Sequence, residues 1–320
     1  MQYGQHPAPR FTVAHLSDVH LLAHGVKQYG VVEPRDGLRL ALERVGRLDP
    51  VPQALVFTGD LADRGEPEAY ATLRELVEPF AAEIGAEVVW VMGNHDERTP
   101  YAMGLFDSDD DGPQDRVHDL GGLRVIALDT SVPTYHHGEL TADQLAWLRE
   151  QLSTPAEHGT ILAMHHPPIP VPTLEPAAII ELLDQQALAD VVTGSDVRAV
   201  LGGHFHYSSH STFAGVPVSV ASASCYTTDP APVARLISGV DGHQAFNTVH
   251  VYDDRIVHTV VPVPEAPEVT GQPDEMRALL DALSPEERRE IISRKDSDFN
   301  NRFESHAPPG SHDENPLTEL

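Results

Sequence analysis

Five times along this chain a short apolar run breaks directly into glycine or into a group of Asp, Asn and His. The runs are Phe11 to Leu16, Ala54 to Thr58, Val88 to Met92, Thr160 to Met164 and Val197 to Leu201. Continuous apolar runs of this length suit strands covered on both faces. At their ends stand Asp18-Val19-His20, Gly59-Asp60, Gly93-Asn94-His95-Asp96, His165-His166 and Gly202-Gly203-His204-Phe205-His206. Core packing does not account for this, because each buried polar group would need a partner. Between the runs, Asp36 to Leu48, Pro67 to Ala82 and Thr141 to Leu152 carry apolar residues at helical spacing, with Thr141 suited to an N-cap. Strand, polar strand end and helix in alternation predict an α/β fold. Sites in such sheets lie beyond the carboxyl ends of strands.

The rest of the composition narrows the class. A formal charge of −28 disfavours DNA or RNA as a tight partner, while a small phosphate ester stays compatible, since bound cations reverse the sign locally. The single cysteine, Cys225, excludes an intrachain disulfide framework and reads as a small buried residue. No apolar run approaches a membrane span, and Met1 to Arg10 lacks the apolar core of a signal peptide, so the expectation is a soluble, cytoplasmic protein. Thr99 to Arg116, with Asp107 to Asp111, reads as a solvated loop, and His136-His137 as loop residues that either line a pocket or face solvent. Thr212 to Ala223 and Thr248 to Val263 read as strands that close the fold. The expected division is a catalytic domain over residues 1–264 and a helical, then disordered tail over 265–320. Within the tail, Ser284-Pro285-Glu286-Glu287 forms a capping box and the chain is polar from Ser297. Met276, Leu279, Leu280, Leu283, Ile291 and Ile292 predict that the tail helices dock, either on the catalytic domain as a cover over the pocket or on a partner.

In extended backbone, Asp18 and His20, like His204 and His206, would turn to one face and meet one cation. Asp60 stands where a carboxylate ligand belongs, and Asp63, one turn on, could reach an imidazole. Each piece is weak alone. As an ordered set, Asp-x-His, Gly-Asp-x-x-Asp-x-Gly, Gly-Asn-His-Asp, His-His-Pro-Pro and Gly-His-x-His resembles the calcineurin-like metallophosphoesterase family over roughly residues 11 to 263. Within it, Val56 to Asp63, Val89 to Asp96, Leu128 to Pro133 and His165 to Pro170 are similar to the class III bacterial cyclic nucleotide phosphodiesterases.

The resemblance implies a four-layer α/β/β/α sandwich of two mixed sheets flanked by helices. It implies two divalent or mixed-valence metal ions, Fe, Mn or Zn: one on Asp18, His20 and His206, the other on Asn94, His165 and His204, with Asp60 bridging. A hydroxide held between them would attack phosphorus in line, His95 would serve the leaving alkoxide and Asp63 would orient His95; no further cofactor is expected. His166 reads as supporting or structural. The expected substrate is a small phosphodiester, most specifically a 3',5'-cyclic nucleotide such as cAMP. A broader diesterase acting on glycerophosphodiesters, and a non-catalytic interaction protein on the same fold, are the other readings. A homodimer stays open.

Overall fold

The structure is a computed structural model and describes residues 3–303. Two compact units divide the chain, one spanning residues 9–264 and the other joining residues 265–303 to residues 3–8. In the larger unit, β1 (Phe11–Leu16), α1 (Pro34–Val45), β2 (Ala54–Thr58), α2 (Pro67–Ile84), β3 (Glu87–Val91) and α3 (Arg98–Phe106) come first. Next are β4 (Arg116–Asp119), β5 (Arg124–Leu128), α4 (Ala142–Gln151), β6 (Thr160–Met164), α5 (Gln185–Val192) and β7 (Val197–Gly202). Two hairpins, β8 (Ser209–Phe213) with β9 (Val216–Val220) and β12 (Ala245–Val251) with β13 (Ile256–Pro262), flank the short pair β10 (Thr227–Thr228) and β11 (Gly239–Val240).

One sheet runs β13-β12-β1-β2-β3 and the other β4-β5-β6-β7-β9-β8. Both are mixed: β1 to β3 are parallel, as are β5, β6, β7 and β9, while β12, β13, β4 and β8 pair antiparallel. Strand alternation sorts the side chains into layers. Val13, Val56, Val89, Val125, Ile161 and Val249 meet between the sheets. Leu16, Leu55, Phe57 and Trp90 pack under α1, α2 and α3, whereas Ile126, Leu162, Met164 and Val200 pack under α4 and α5. This is the α/β/β/α sandwich.

Several local expectations differ from what forms. The stretch expected as a loop from Thr99 opens instead as α3, because Tyr101, Ala102 and Leu105 are buried on one side and Tyr101 packs edge-on against Tyr70 at 5.9 Å. Pro100 is tolerated there, in the first turn, where its missing N–H is not needed. Thr212 to Ala223 is no single strand: it contains the β8–β9 turn, at Ala214 and Gly215 with φ of 50° and 84°. The β12–β13 turn likewise divides Thr248 to Val263. In the smaller unit α6 (Met276–Ala282) precedes α7 (Pro285–Arg288), which Ser284 and Glu287 cap reciprocally. There α8 (Asp298–Phe303) forms where polarity from Ser297 predicted disorder; the remainder of that expected disordered tail, residues 304–320, lies outside the described residues. Among the described residues no helix is long and apolar enough to cross a membrane.

Two arginines tie the end of the sandwich away from the parallel strands' carboxyl ends. Arg124 reaches both oxygens of Asp196 at 2.9 Å and donates to Thr160 Oγ1 and the Thr154 carbonyl. Arg198, at the start of β7, donates to the carbonyls of Tyr252 (2.6 Å) and Arg255 (3.2 Å) in the β12–β13 turn of the other sheet. Side chains of Arg124 and Asp196 are only 14% and 10% exposed, so removing one leaves the other charge buried and unpaired. Asp196→Ala should therefore cost about 3–5 kcal/mol in a denaturant titration, with metal content unchanged. A loss below about 1 kcal/mol, the worth of an exposed pair, would show that the pair is solvent-screened.

Candidate metal centre

The loops that leave β1, β2, β3, β6 and β7 bring the polar strand ends together. The convergence is not made by extended backbone. Asp18, His20, Asp60, His204 and His206 all have positive φ, between 50° and 75°. An extended Asp-x-His was expected to aim both side chains to one face; the strand instead stops at Leu16, and left-handed residues swing each side chain inward. Such backbone costs about 1–3 kcal/mol per non-glycine residue and persists only where the surroundings over-determine it. Here the main chain supplies part of that hold: Asp18 N donates to Gly59 O at 3.1 Å, His20 N to Asp60 O at 2.8 Å and His204 N to Asp18 Oδ2 at 3.1 Å. Glycines permit the close approach. A Cβ on Gly93 would stand 2.1 Å from Asp60 N, and one on Gly203 1.9 Å from Ser17 Oγ.

The atoms at the centre are all acceptors. His206 Nδ1 donates to Tyr226 O at 2.9 Å, His165 Nδ1 to Thr58 O at 2.7 Å, and His20 Nδ1 to Asp63 Oδ1 at 3.0 Å. His204 is reversed: Nε2 donates to Ile180 O at 2.9 Å and Nδ1 points inward. These outer bonds fix the tautomers, so every inward nitrogen of a neutral ring is a lone pair. Yet His20 Nε2 and His206 Nε2 stand 3.1 Å apart, and His165 Nε2 stands 3.2 Å from His204 Nδ1 and 3.0 Å from Asn94 Oδ1. Asp18 Oδ1 is 3.3 Å from His206 Nε2, and one atom, Asp60 Oδ2, lies 3.4 Å from Nε2 of both His20 and His165. Seven residues thus present lone pairs to one another with no proton between them in the neutral state. Cations are what such a donor set fits, and carboxylate, imidazole and amide oxygen suit first-row metals.

The field of the site is strongly negative. Burial works against charge on each group, but Asp60 and Asp18 raise His165 to about 9, Asp18 and Asp60 lift His206, and Cys225, Asp60 and Asp63 lift His20. Asp60 is pulled well below the usual carboxylate range by His165 and His95 despite its burial. His204 goes the other way, lowered by burial and by the neighbouring His166 and His165.

Around this centre the remaining residues sort by their contacts. His95 N donates to Asp60 Oδ1 at 2.8 Å, and its Nδ1 donates to the Asp63 carbonyl at 2.9 Å. Asp63 meets both rings: its main-chain carbonyl accepts from His95 Nδ1, while its carboxylate accepts from His20 and from Gln28 Nε2. The loop after β1 runs beside it, Asp63 N donating to Leu21 O at 2.9 Å. His166 lies close to His165 and His204, but both its nitrogens are engaged, with Thr130 Oγ1 (2.8 Å) and the His136 carbonyl (3.0 Å). Burial and the neighbouring His165 push it down to about 3. Cys225 is buried, its thiol pushed up to about 12 by burial, with Sγ 3.7 Å from the Tyr226 carbonyl. Of the loop histidines, His136 lines a cavity of about 450 Å³ with Asn94, His95, Arg98 and Tyr135, while His137 pairs with Glu139.

Two contributors carry no signal in spacing. His136 Nδ1 accepts from Asn94 Nδ2 at 2.9 Å, which turns Asn94 Oδ1 toward His165. Asp96 is buried and accepts from the N–H groups of Leu61, Ala62 and Gly93 and from Tyr70 OH, locking the loop after β2 to the loop after β3. Its place in Gly-Asn-His-Asp was visible, but Leu61, Ala62 and Tyr70 come from two other segments.

Comparison with known proteins agrees with this geometry. The calcineurin-like phosphoesterase family model matches residues 11–208. A cAMP/cGMP dual specificity phosphodiesterase of Mycobacterium tuberculosis is 53% identical over 264 residues, 82% of this chain and 83% of the relative. A probable cyclic nucleotide phosphodiesterase of Rhodococcus erythropolis is 52% identical over 261 residues, 81% of this chain and 86% of that one. Among solved structures, a dimetal phosphatase from Danio rerio shares the fold with a TM-score of 0.57 at 18% identity, over 80% of this chain and 98% of that one. The chain belongs to the calcineurin-like phosphoesterase family.

Because one Asp60 oxygen faces both halves of the centre, Asp60→Ala should lose both cations, whereas His206→Ala should lose one and regain it in excess Mn. Metal analysis after gel filtration checks this; an Asp60→Ala protein with full metal content would remove Asp60 from the bridging position.

Proposed function

We propose that this protein is a 3',5'-cyclic nucleotide phosphodiesterase working on two cations, with Asp18, His20 and His206 at one, Asn94, His165 and His204 at the other, and Asp60 between. The observation that carries the reading is the shared Asp60 Oδ2, 3.4 Å from Nε2 of His20 in one half and of His165 in the other. Fe, Mn and Zn are the ions this ligand set suits. Paired cations supply an activated water and neutralise charge at phosphorus when bound.

The chain's own residues supply the rest. The cavity of about 450 Å³ beside the centre falls within the size range of small-ligand sites. His95 forms part of its wall, and its Nδ1–H is committed to the Asp63 carbonyl, so Nε2 passes a proton to the departing ribose oxygen from the imidazolium, leaving the neutral ring with its remaining proton on Nδ1. The backbone bond from His95 to Asp60 fixes that ring relative to the metal ligands. Asp63 acts from the side of His20. The same reading makes the protein's partner a small diester rather than nucleic acid, as the charge of −28 favours, and puts it in the cytoplasm with its substrate.

A panel of cAMP, cGMP, a glycerophosphodiester and bis(p-nitrophenyl) phosphate, with defined Mn, Fe or Zn loading, tests the substrate. Turnover of the cyclic nucleotides should exceed that of the glycerophosphodiester. The opposite order would make it a glycerophosphodiesterase, and no turnover with both metals bound would favour a binding protein. His95→Ala should keep both metals and slow cAMP hydrolysis by about 10²–10⁴. The loss should shrink on bis(p-nitrophenyl) phosphate, whose leaving group scarcely needs a proton. Equal losses on both would make His95 a substrate-positioning group.

A further inference from the structure

We infer that Gln28 is a positioning residue that holds His20 in its ligating orientation through Asp63. Gln28 belongs to the loop between β1 and α1, and its neighbours stand out in solvent: Tyr29 is 75% and Val31 68% exposed, while Gln28 itself is 3% exposed. A narrow backbone pair folds its side chain inward. Gln28 N donates to Val32 O at 2.9 Å and Val32 N donates back at 3.1 Å, and the chain reverses through Tyr29 and Gly30 at φ of 51° and 75°.

The inward amide has one bond. Nε2 donates to Asp63 Oδ1 at 2.9 Å, the same oxygen that accepts from His20 Nδ1 at 3.0 Å. Oε1 is buried and has no partner within the protein. A buried amide left half satisfied is unfavourable, so Leu or Met would fill this space at lower cost if filling were the task. What only Gln provides is the donor. Its effect comes from the alternative open to Asp63: the exposed Arg64 guanidinium stands 3.7 Å from Oδ2, on the solvent side. Gln28 and His20 together turn the carboxylate inward. With Gln28 gone, Asp63 can rotate toward Arg64, and His20 loses the acceptor that fixes its tautomer and ring plane. Outer partners of ligating histidines are typically worth 10–100-fold in metal affinity. The same residue begins the exposed turn whose Tyr29 packs edge-on against Tyr226 at 5.3 Å, so the turn at the rim and the ligand are tied through one side chain.

This inference rests on His20 being a ligand, not on the identity of the diester, and the test reads metal rather than turnover. Chelator competition on the full-length protein loaded with Mn should show affinity at one of the two sites down about 10-fold in Gln28→Met. Gln28→Glu, which sets a second carboxylate against Asp63, should lose more. In an Asp63→Ala background, adding Gln28→Met should change affinity no further, because its target is gone. Wild-type affinity in both single variants, or a full additional loss in the Asp63→Ala background, would overturn the inference. If Gln28→Met does not fold, the isosteric Gln28→Glu and its own cycle with Asp63→Ala decide alone. A His20→Ala protein that binds as much metal as wild type would instead sink the ligand assignment, and an inactive panel with normal metal binding would touch only the substrate.

Discussion

Seven residues converge with lone pairs facing lone pairs, and without positive charge that arrangement would repel itself. The four imidazoles are turned by what lies behind them: three backbone carbonyls, of Thr58, Ile180 and Tyr226, and the Asp63 carboxylate. Because those outer acceptors are mostly main chain, the tautomers are set by the fold itself and survive most side-chain changes. The same convergence explains the buried carboxylates, Asp18 and Asp60, which no hydrophobic core would keep unpaired.

Holding such atoms at 3.0–3.4 Å needs rigid loops. Five residues in left-handed backbone would relax if the surrounding chain allowed it. It does not, because the loops bond to one another rather than to solvent: β1's loop to β2's through main-chain bonds, and β2's to β3's through Asp96. Gly93 and Gly203 then let those loops pass at distances that any side chain would block.

The five strands and their polar ends were readable from the sequence because buried parallel strands leave continuous apolar runs, a pattern that survives without knowledge of partners. The ligand set was readable only as an ordered resemblance. Spacing proposed the right pairs, Asp18 with His20 and His204 with His206, for a reason the backbone does not use: φ near +50° to +75°, not extension, turns them inward. Edge strands were harder. Neither the β8–β9 turn at Ala214-Gly215 nor the start of α3 is marked by strong local signals, and α3 forms because Tyr70 is there to receive Tyr101. Gln28, the bond from Asn94 to His136 and the Asp96 bonds to Leu61, Ala62 and Tyr70 were invisible for a common reason: each spans more than twenty residues of chain and joins groups that only folding brings near.

The origin of the ligands has a mechanical side. Asp18, His20, Asp60 and Asn94 come from one sheet, His165, His204 and His206 from the other. At the far end, Arg198 fastens β7 to the β12–β13 turn across the same seam. The sandwich is therefore a clip with a permanent fastening at one end and a chemical one at the other. On the proposed two-cation reading, ions held by ligands from both sheets would join the sheets at the open end as Arg198 joins them at the other, so that binding metal would add directly to the stability of the folded seam.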